Sequence, residues 1–110
     1  MKTLKLQELC DKLGGKVWQK GEMFRIYFNT DKSAKAYLDF DFDASVRNSD
    51  EVAISDEGII ENSRLCVFSN CASQSTKWNI NRSKQIKHEI MLKISALTGC
   101  KVCENWQEVL

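Results

Sequence analysis

Proline is absent from these 110 residues, and histidine occurs only once. The lack of proline fits a chain with few long loops, because proline is common in turns and linkers. A serine or cysteine nucleophile needs a positioned base, but His88 falls in a helical pattern beside Glu89, where a histidine is usually a surface residue. The G-x-S-x-G, phosphate-loop and dinucleotide-binding motifs are also missing. We therefore predict a non-catalytic protein that uses no cofactor and no metal.

Long apolar runs are missing as well. No stretch approaches the roughly 18 consecutive apolar residues of a membrane-spanning helix. Residues 1–9 lack the continuous apolar segment of a secretory signal. We expect a cytoplasmic protein that does not contact a membrane.

The sequence contains five cysteines, an odd number, so free thiols are expected rather than a disulfide framework. Cys66 and Cys71, together with Cys100 and Cys103, offer the four thiolates of a structural zinc site. The 28 residues between the two pairs exceed the usual spacing. Separate thiols are the simpler interpretation, and Cys10, on an apolar helical stripe, is expected to be an inert core thiol.

The sequence is rich in alternation between apolar and polar residues. Apolar side chains occupy every second position in residues 23–28 and again in residues 34–42. Successive side chains on a strand point to opposite faces, so the two runs predict an antiparallel hairpin with one apolar and one charged face. Residues 64–69 are apolar on both faces, which is typical of a central strand.

Two segments show helical spacing instead. The first follows Thr3, a candidate N-cap, and ends at Gly14; the second spans residues 83–98, is capped by Ser83 or Asn81, and ends at Gly99. Their apolar stripes are Leu6, Leu9, Cys10 and Leu13 in the first and Ile86, Ile90, Ile94 and Leu97 in the second. We therefore predict one α+β domain over residues 1–110: a two-layer fold with an antiparallel sheet of three to five strands flanked by an N-terminal and a C-terminal helix.

Negative charge is concentrated in the middle of the chain, where residues 39–61 contain eight acidic residues against one arginine. Asp39, Asp41 and Asp43 share the polar phase of a strand, where carboxylates can hold Mg²⁺ or Mn²⁺. A solvated outer face, partly neutralised by Arg25 or Lys35, is the simpler interpretation. As a function, we predict that an acidic surface engages a protein partner with a basic surface. Its predicted residues are Asp39, Asp41, Asp43, Asp50 and Glu51.

In size and general character, though not in any motif, the chain resembles the small single-domain α+β proteins of phages and mobile elements that act by occluding a host protein, anti-CRISPR proteins among them. This resemblance implies that the protein-binding module inhibits a host protein.

A second function is suggested by residues 77–87, which interleave an aromatic side chain with basic ones. Such a mixture stacks bases and pairs with phosphates on single strands. The alternative prediction is therefore a single-stranded nucleic-acid-binding protein. Its predicted contact residues are Lys77, Trp78, Arg82, Lys84 and Lys87. Against this, a single tryptophan is often a core anchor, and a net charge of +1 is low for a dedicated nucleic-acid binder.

Overall fold

The computed structural model describes residues 2–20, 23–31, 33–41 and 51–103. These residues form two helices and eight strands, which confirms the predicted α+β class. The elements in chain order are β1 Lys2–Lys5, α1 Leu6–Leu13, β2 Lys16–Lys20, β3 Met23–Phe28, β4 Ala34–Asp41, β5 Glu51–Ile54, β6 Ile59–Ile60, β7 Ser63–Ser69, α2 Thr76–Thr98 and β8 Lys101–Val102. The strands make a main sheet, in the order β2-β3-β4-β7, and a small sheet, in the order β1-β5-β6-β8.

The main sheet is built on the predicted hairpin. Its strands pair antiparallel, with Ile26 of β3 opposite Leu38 of β4, and Leu38 opposite Leu65 of β7. Partners that face each other across strands lie on the same side of a sheet. All three side chains are buried in a core that also takes residues from both helices and from the small sheet. Burying a side chain of this size contributes about 1.5–3 kcal/mol.

The prediction of a two-layer fold, with one antiparallel sheet of three to five strands flanked by an N-terminal and a C-terminal helix, is confirmed only in its α+β class. The small sheet was not predicted as a second sheet. Two of its strands lie outside the predicted order of helix, sheet and helix, because β1 precedes α1 and β8 follows α2. Strand β8 pairs in parallel with β6, whereas the prediction contained only antiparallel strands. Thr3 lies in β1 opposite Ala53, so its predicted role as a helix N-cap is wrong. Lys5 occupies that position without a side-chain hydrogen bond.

Helix α1 buries its predicted stripe, including Cys10, and ends at Gly14 with a left-handed φ of 67°. The next residue, Gly15, brings the chain close to β3: a Cβ at this position would lie 2.6 Å from Ile26 Cγ2 and 2.6 Å from the Tyr27 carbonyl oxygen. A side chain at residue 15 would therefore force the α1–β2 turn away from the main sheet.

Helix α2 begins two turns earlier than predicted. Its N-cap is Ser75, not Ser83 or Asn81, and the Ser75 hydroxyl accepts a hydrogen bond from the Trp78 N–H at 3.1 Å. The first two turns contain Trp78 and Ile80, which are 37% and 45% exposed. Because these turns carry no buried stripe, the hydrophobic spacing does not reveal them.

Strand β7 lies at the edge of the main sheet, so its prediction as a central strand is wrong. Side chains of α2 bind the backbone at the end of this strand. Ser83 Oγ accepts from the Ser69 N–H at 2.8 Å, and Asn79 Oδ1 accepts from the Cys71 N–H at 3.0 Å. These bonds satisfy backbone donors that a bare edge would leave to water.

Candidate functional site

The first predicted site residue, Asp39, is not solvated as expected. It lies on the outer face of β4, opposite Arg25 and Arg64, and is 6% exposed. Arg25 Nε donates to Asp39 Oδ1 at 3.1 Å, and Arg64 Nη2 donates to Asp39 Oδ2 at 3.4 Å. The pairing with Arg25 follows the predicted neutralisation across the hairpin, whereas the second guanidinium group, from β7, was not predicted. Two arginines from the neighbouring strands therefore share the Asp39 carboxylate.

The other four predicted acids do not form a described cluster with Asp39. Asp43 and Asp50 lie outside the described residues, and Asp41 is described only through its backbone, at the end of β4. Glu51 begins β5 in the small sheet, opposite Lys5. The predicted acidic set is therefore divided between the two sheets wherever it is described.

The predicted nucleic-acid residues all lie on α2 but on two of its faces. Helical spacing of about 100° per residue places Trp78 near Arg82 on one face and Lys84 near Lys87 on another, with Lys77 two turns before Lys84. Arg82 Nη2 also donates to an aspartate in the β3–β4 loop, Asp31, at 2.8 Å. These five residues therefore do not form one binding surface.

A different set of side chains comes together on the outer face of the main sheet, which we call the aromatic sheet face: Arg25, Tyr27, Lys35, Tyr37 and Phe68. The ring centroids of Tyr27 and Tyr37 are 5.6 Å apart, and those of Tyr37 and Phe68 are 6.1 Å apart. Phe68 is 44% exposed. A surface hollow of about 530 Å³ opens over these five residues. Three rings from three adjacent strands therefore form a continuous aromatic row.

Positive charge borders this row. The Arg25 guanidinium carbon lies 4.3 Å from the Tyr37 ring centroid, within cation–π range. Burial opposes the charge on Arg25, but hydrogen bonds to the Tyr27 and Asp39 side chains and the charge of Asp39 raise the pKa of its guanidinium above the ordinary value. Burial, followed by the neighbouring Cys66, raises the pKa of the Tyr37 hydroxyl. At neutral pH the face therefore presents the Arg25 guanidinium, paired with Asp39, beside the neutral phenol of Tyr37.

A second hollow, the α2–β7 cleft, lies between the start of α2 and the end of β7. It measures about 310 Å³, and Phe68 and Asn70 line both it and the hollow on the aromatic sheet face. Lys84 and Lys87 line the helix side. Burial lowers the pKa of the Lys87 ammonium. None of the residues lining either hollow in the described chain is acidic.

Sequence reasoning missed Tyr27, Tyr37 and Phe68 as a group. A signal was present, because both tyrosines fall on the polar phase of the hairpin, where aromatic side chains have no core to fill. Their alignment with Phe68 depends on the pairing of β4 with β7, in which Phe68 lies opposite Lys35. Strands β4 and β7 are far apart in the chain and are not joined by a hairpin turn, so the local sequence does not predict which residues of the two strands pair.

Among the described residues, no three histidine, cysteine, aspartate or glutamate side chains are arranged to hold a metal ion. This covers Cys66, Cys71, Cys100 and Cys103, so the four thiols do not converge on a zinc site. In the same described ranges, neither helix has the length and hydrophobicity needed to cross a bilayer.

The chain matches no protein-family model, no curated protein and no solved structure.

Proposed function

We propose that this protein binds single-stranded nucleic acid on the aromatic sheet face. The observation that carries the proposal is the continuous row of Tyr27, Tyr37 and Phe68, bordered by Arg25 and Lys35, on the outer side of an antiparallel sheet. Proteins that bind single strands combine aromatic platforms for the bases with cations for the phosphates. The proposal keeps the function class suggested by residues 77–87 but moves the main contact surface from α2 to the sheet.

Each ring has a distinct part in this proposal. Phe68 is the most accessible ring for a base, at 44% exposed. Tyr37 lies beneath the Arg25 guanidinium, and a guanidinium plane is itself a surface on which bases stack. Lys35, opposite Phe68 on β4, is exposed and can pair with a phosphate next to a base stacked on that ring.

The test is fluorescence anisotropy with labelled single-stranded DNA and RNA of about 10 nucleotides, a length within the range of known single-strand sites. Phe68→Ala should weaken binding roughly tenfold, because stacking contributes about 1–3 kcal/mol per base. Phe68→Tyr should keep most of the affinity. Leu92→Ala is the matched control, since Leu92 is a 58% exposed apolar residue on α2 that lines neither hollow.

Salt dependence provides a second measurement. Affinity should fall as salt rises, because phosphate contacts release counterions. The proposal fails if neither DNA nor RNA single strands bind at low salt, or if Leu92→Ala reduces affinity as much as Phe68→Ala does. Equal affinity for double-stranded DNA would also contradict it, since paired bases cannot stack on the rings.

The protein-binding inhibitor predicted from the acidic residues is the second proposal. In its favour, Asp56 and Glu57 are exposed in the turn between β5 and β6, in the same sheet as Glu51. A pulldown with nuclease treatment separates the two proposals. Capture of a basic protein that survives nuclease and is lost in Asp56→Lys/Glu57→Lys supports it, whereas capture that this variant leaves unchanged contradicts it.

A further inference from the structure

We infer that the α2–β7 cleft binds one nucleotide of the strand, with its phosphate between Lys84 and Lys87 and its base against Ile80 and Phe68. This inference rests on the proposed function and extends it to a second contact site beside the aromatic sheet face. It also identifies the edge of β7 as the point where the bound strand leaves the sheet.

The size of the cleft limits what it can hold. Its volume of about 310 Å³ is at the small end of ligand pockets, which range over roughly 300–1,000 Å³. A cleft of this size accepts a small molecule or a single unit of a polymer. A helix or a strand of a partner protein needs a longer groove.

Charge selects an anion among the ligands of that size. Lys84 and Lys87 line the cleft, and no acidic residue of the described chain does. Lys87 is half-buried, and burial disfavours its charged form. A phosphate placed beside its ammonium group would offset that cost, because an opposite charge favours the charged form.

The apolar part of the lining suits a base. Ile80 is 45% exposed and Phe68 is 44% exposed, so both present apolar surface to an incoming ring. An aliphatic side chain and an aromatic ring on opposite walls can hold a planar group between them.

The walls of the cleft are held in place before any ligand arrives. Ser83 accepts from the Ser69 N–H, and Asn79 binds both the N–H and the carbonyl oxygen of Cys71, at 3.0 and 3.3 Å. These bonds tie the first turns of α2 to the end of β7. A site that needs no rearrangement on binding loses less conformational entropy.

Continuity with the aromatic sheet face connects the two sites. Phe68 and Asn70 line both hollows. A strand whose bases follow Tyr27, Tyr37 and Phe68 therefore reaches the edge of β7 at the cleft, where Lys84 and Lys87 can take the next phosphate.

The test is an NMR titration of the full chain, labelled with ¹⁵N, with thymidine monophosphate, thymidine and inorganic phosphate. Thymidine monophosphate should shift the backbone amides of Ile80, Lys84 and Phe68. Thymidine and inorganic phosphate should each bind roughly fivefold more weakly or worse, because each supplies only part of the contacts. Lys84→Ala should weaken binding of the monophosphate roughly fivefold, which is the scale of an exposed ion pair.

Lys93→Ala is the matched control, because Lys93 is an exposed lysine on α2 that does not line the cleft. Equal weakening by Lys93→Ala, or shifts that avoid the cleft, would overturn the inference. If the monophosphate does not bind there while the oligonucleotide still depends on Phe68, only the inference fails. If the monophosphate binds the cleft but no oligonucleotide binds, the cleft is a nucleotide site and the proposed function fails.

Discussion

On the inner face of the main sheet, Ile26, Leu38 and Leu65 lie in the core that both helices share. On the outer face, Asp39 is 6% exposed, although the strand beside it carries arginine rather than an aliphatic residue. The inner side chains are buried by packing, and the outer carboxylate is buried by two guanidinium groups. Alternation in the sequence assigns a side chain to one face of the sheet, but its neighbours on the adjacent strands decide whether that side chain is exposed to solvent.

The inner face should give the largest effect on stability. Leu38 is fully buried at the centre of three paired strands, so Leu38→Ala leaves a cavity and should lower the free energy of unfolding by about 3 kcal/mol. Urea denaturation followed by circular dichroism measures the change. Leu92→Ala, at an exposed position, should change it by less than about 0.5 kcal/mol. Similar losses in the two variants would remove the distinction between packed core and surface.

On the outer face, stability should depend most strongly on the Asp39 carboxylate. Asp39→Asn keeps the size of the side chain but leaves Arg25 and Arg64 without their shared anion. We expect a loss of about 2 kcal/mol, below the usual range for breaking a buried pair, because both arginines retain contact with solvent. The same urea experiment measures it.

Asp31→Asn provides the comparison for this outer-face prediction. It removes the partner of Arg82 at a 52% exposed side chain, so the unfolding midpoint should fall less than in Asp39→Asn. If Asp39→Asn is as stable as the unchanged protein, the outer face is held together without its ion pairs, and the comparison between the two faces is wrong.

The smallest effect is expected at Lys87, in the α2–β7 cleft beside the outer face. Its folded-state pKa lies below the value in the unfolded chain, so its charged form destabilises the fold at neutral pH. Lys87→Met should therefore stabilise the protein by a few tenths of a kcal/mol, within the usual range for a surface change. The gain should shrink as pH rises through the folded pKa towards that of an ordinary lysine.

Thermal unfolding between pH 7 and an alkaline pH measures this difference for Lys87. Lys93→Met is the control, since Lys93 is exposed on the same helix. A gain that grows with pH, or an equal gain in Lys93→Met, would contradict a burial penalty at Lys87.

Local patterns in the sequence predicted much of the main sheet. The alternation of residues 23–28 and 34–42 located β3 and β4, and the spacing of Leu6, Leu9, Cys10 and Leu13 located α1. These signals work because each element buries one regular stripe. Gly14 and Gly99 marked both helix ends, each with a left-handed backbone.

The features that sequence reasoning missed depend on contacts between distant residues. Strand β1 has four residues and is defined by its pairing with β5, and β8 has only two residues. The burial of Asp39 needs Arg64, 25 residues along the chain. The row of Tyr27, Tyr37 and Phe68 likewise exists only once β7 pairs with β4. The candidate site was missed for the same reason as the small sheet.

The hydrogen bond from the Ser69 N–H to Ser83 also affects how copies of this protein can meet. An uncovered edge strand offers its backbone to a strand from another molecule, which is a common start of aggregation. At the last residue of β7, Ser83 of helix α2 already accepts from the Ser69 N–H, so a strand from another molecule would have to displace that side chain to pair there. At the opposite edge, β2 begins and ends with lysine, and charged ends disfavour strand addition between molecules. Each edge strand of the main sheet therefore carries a feature that disfavours pairing with another molecule: a helix side chain at the end of β7 and lysines in the sequence of β2.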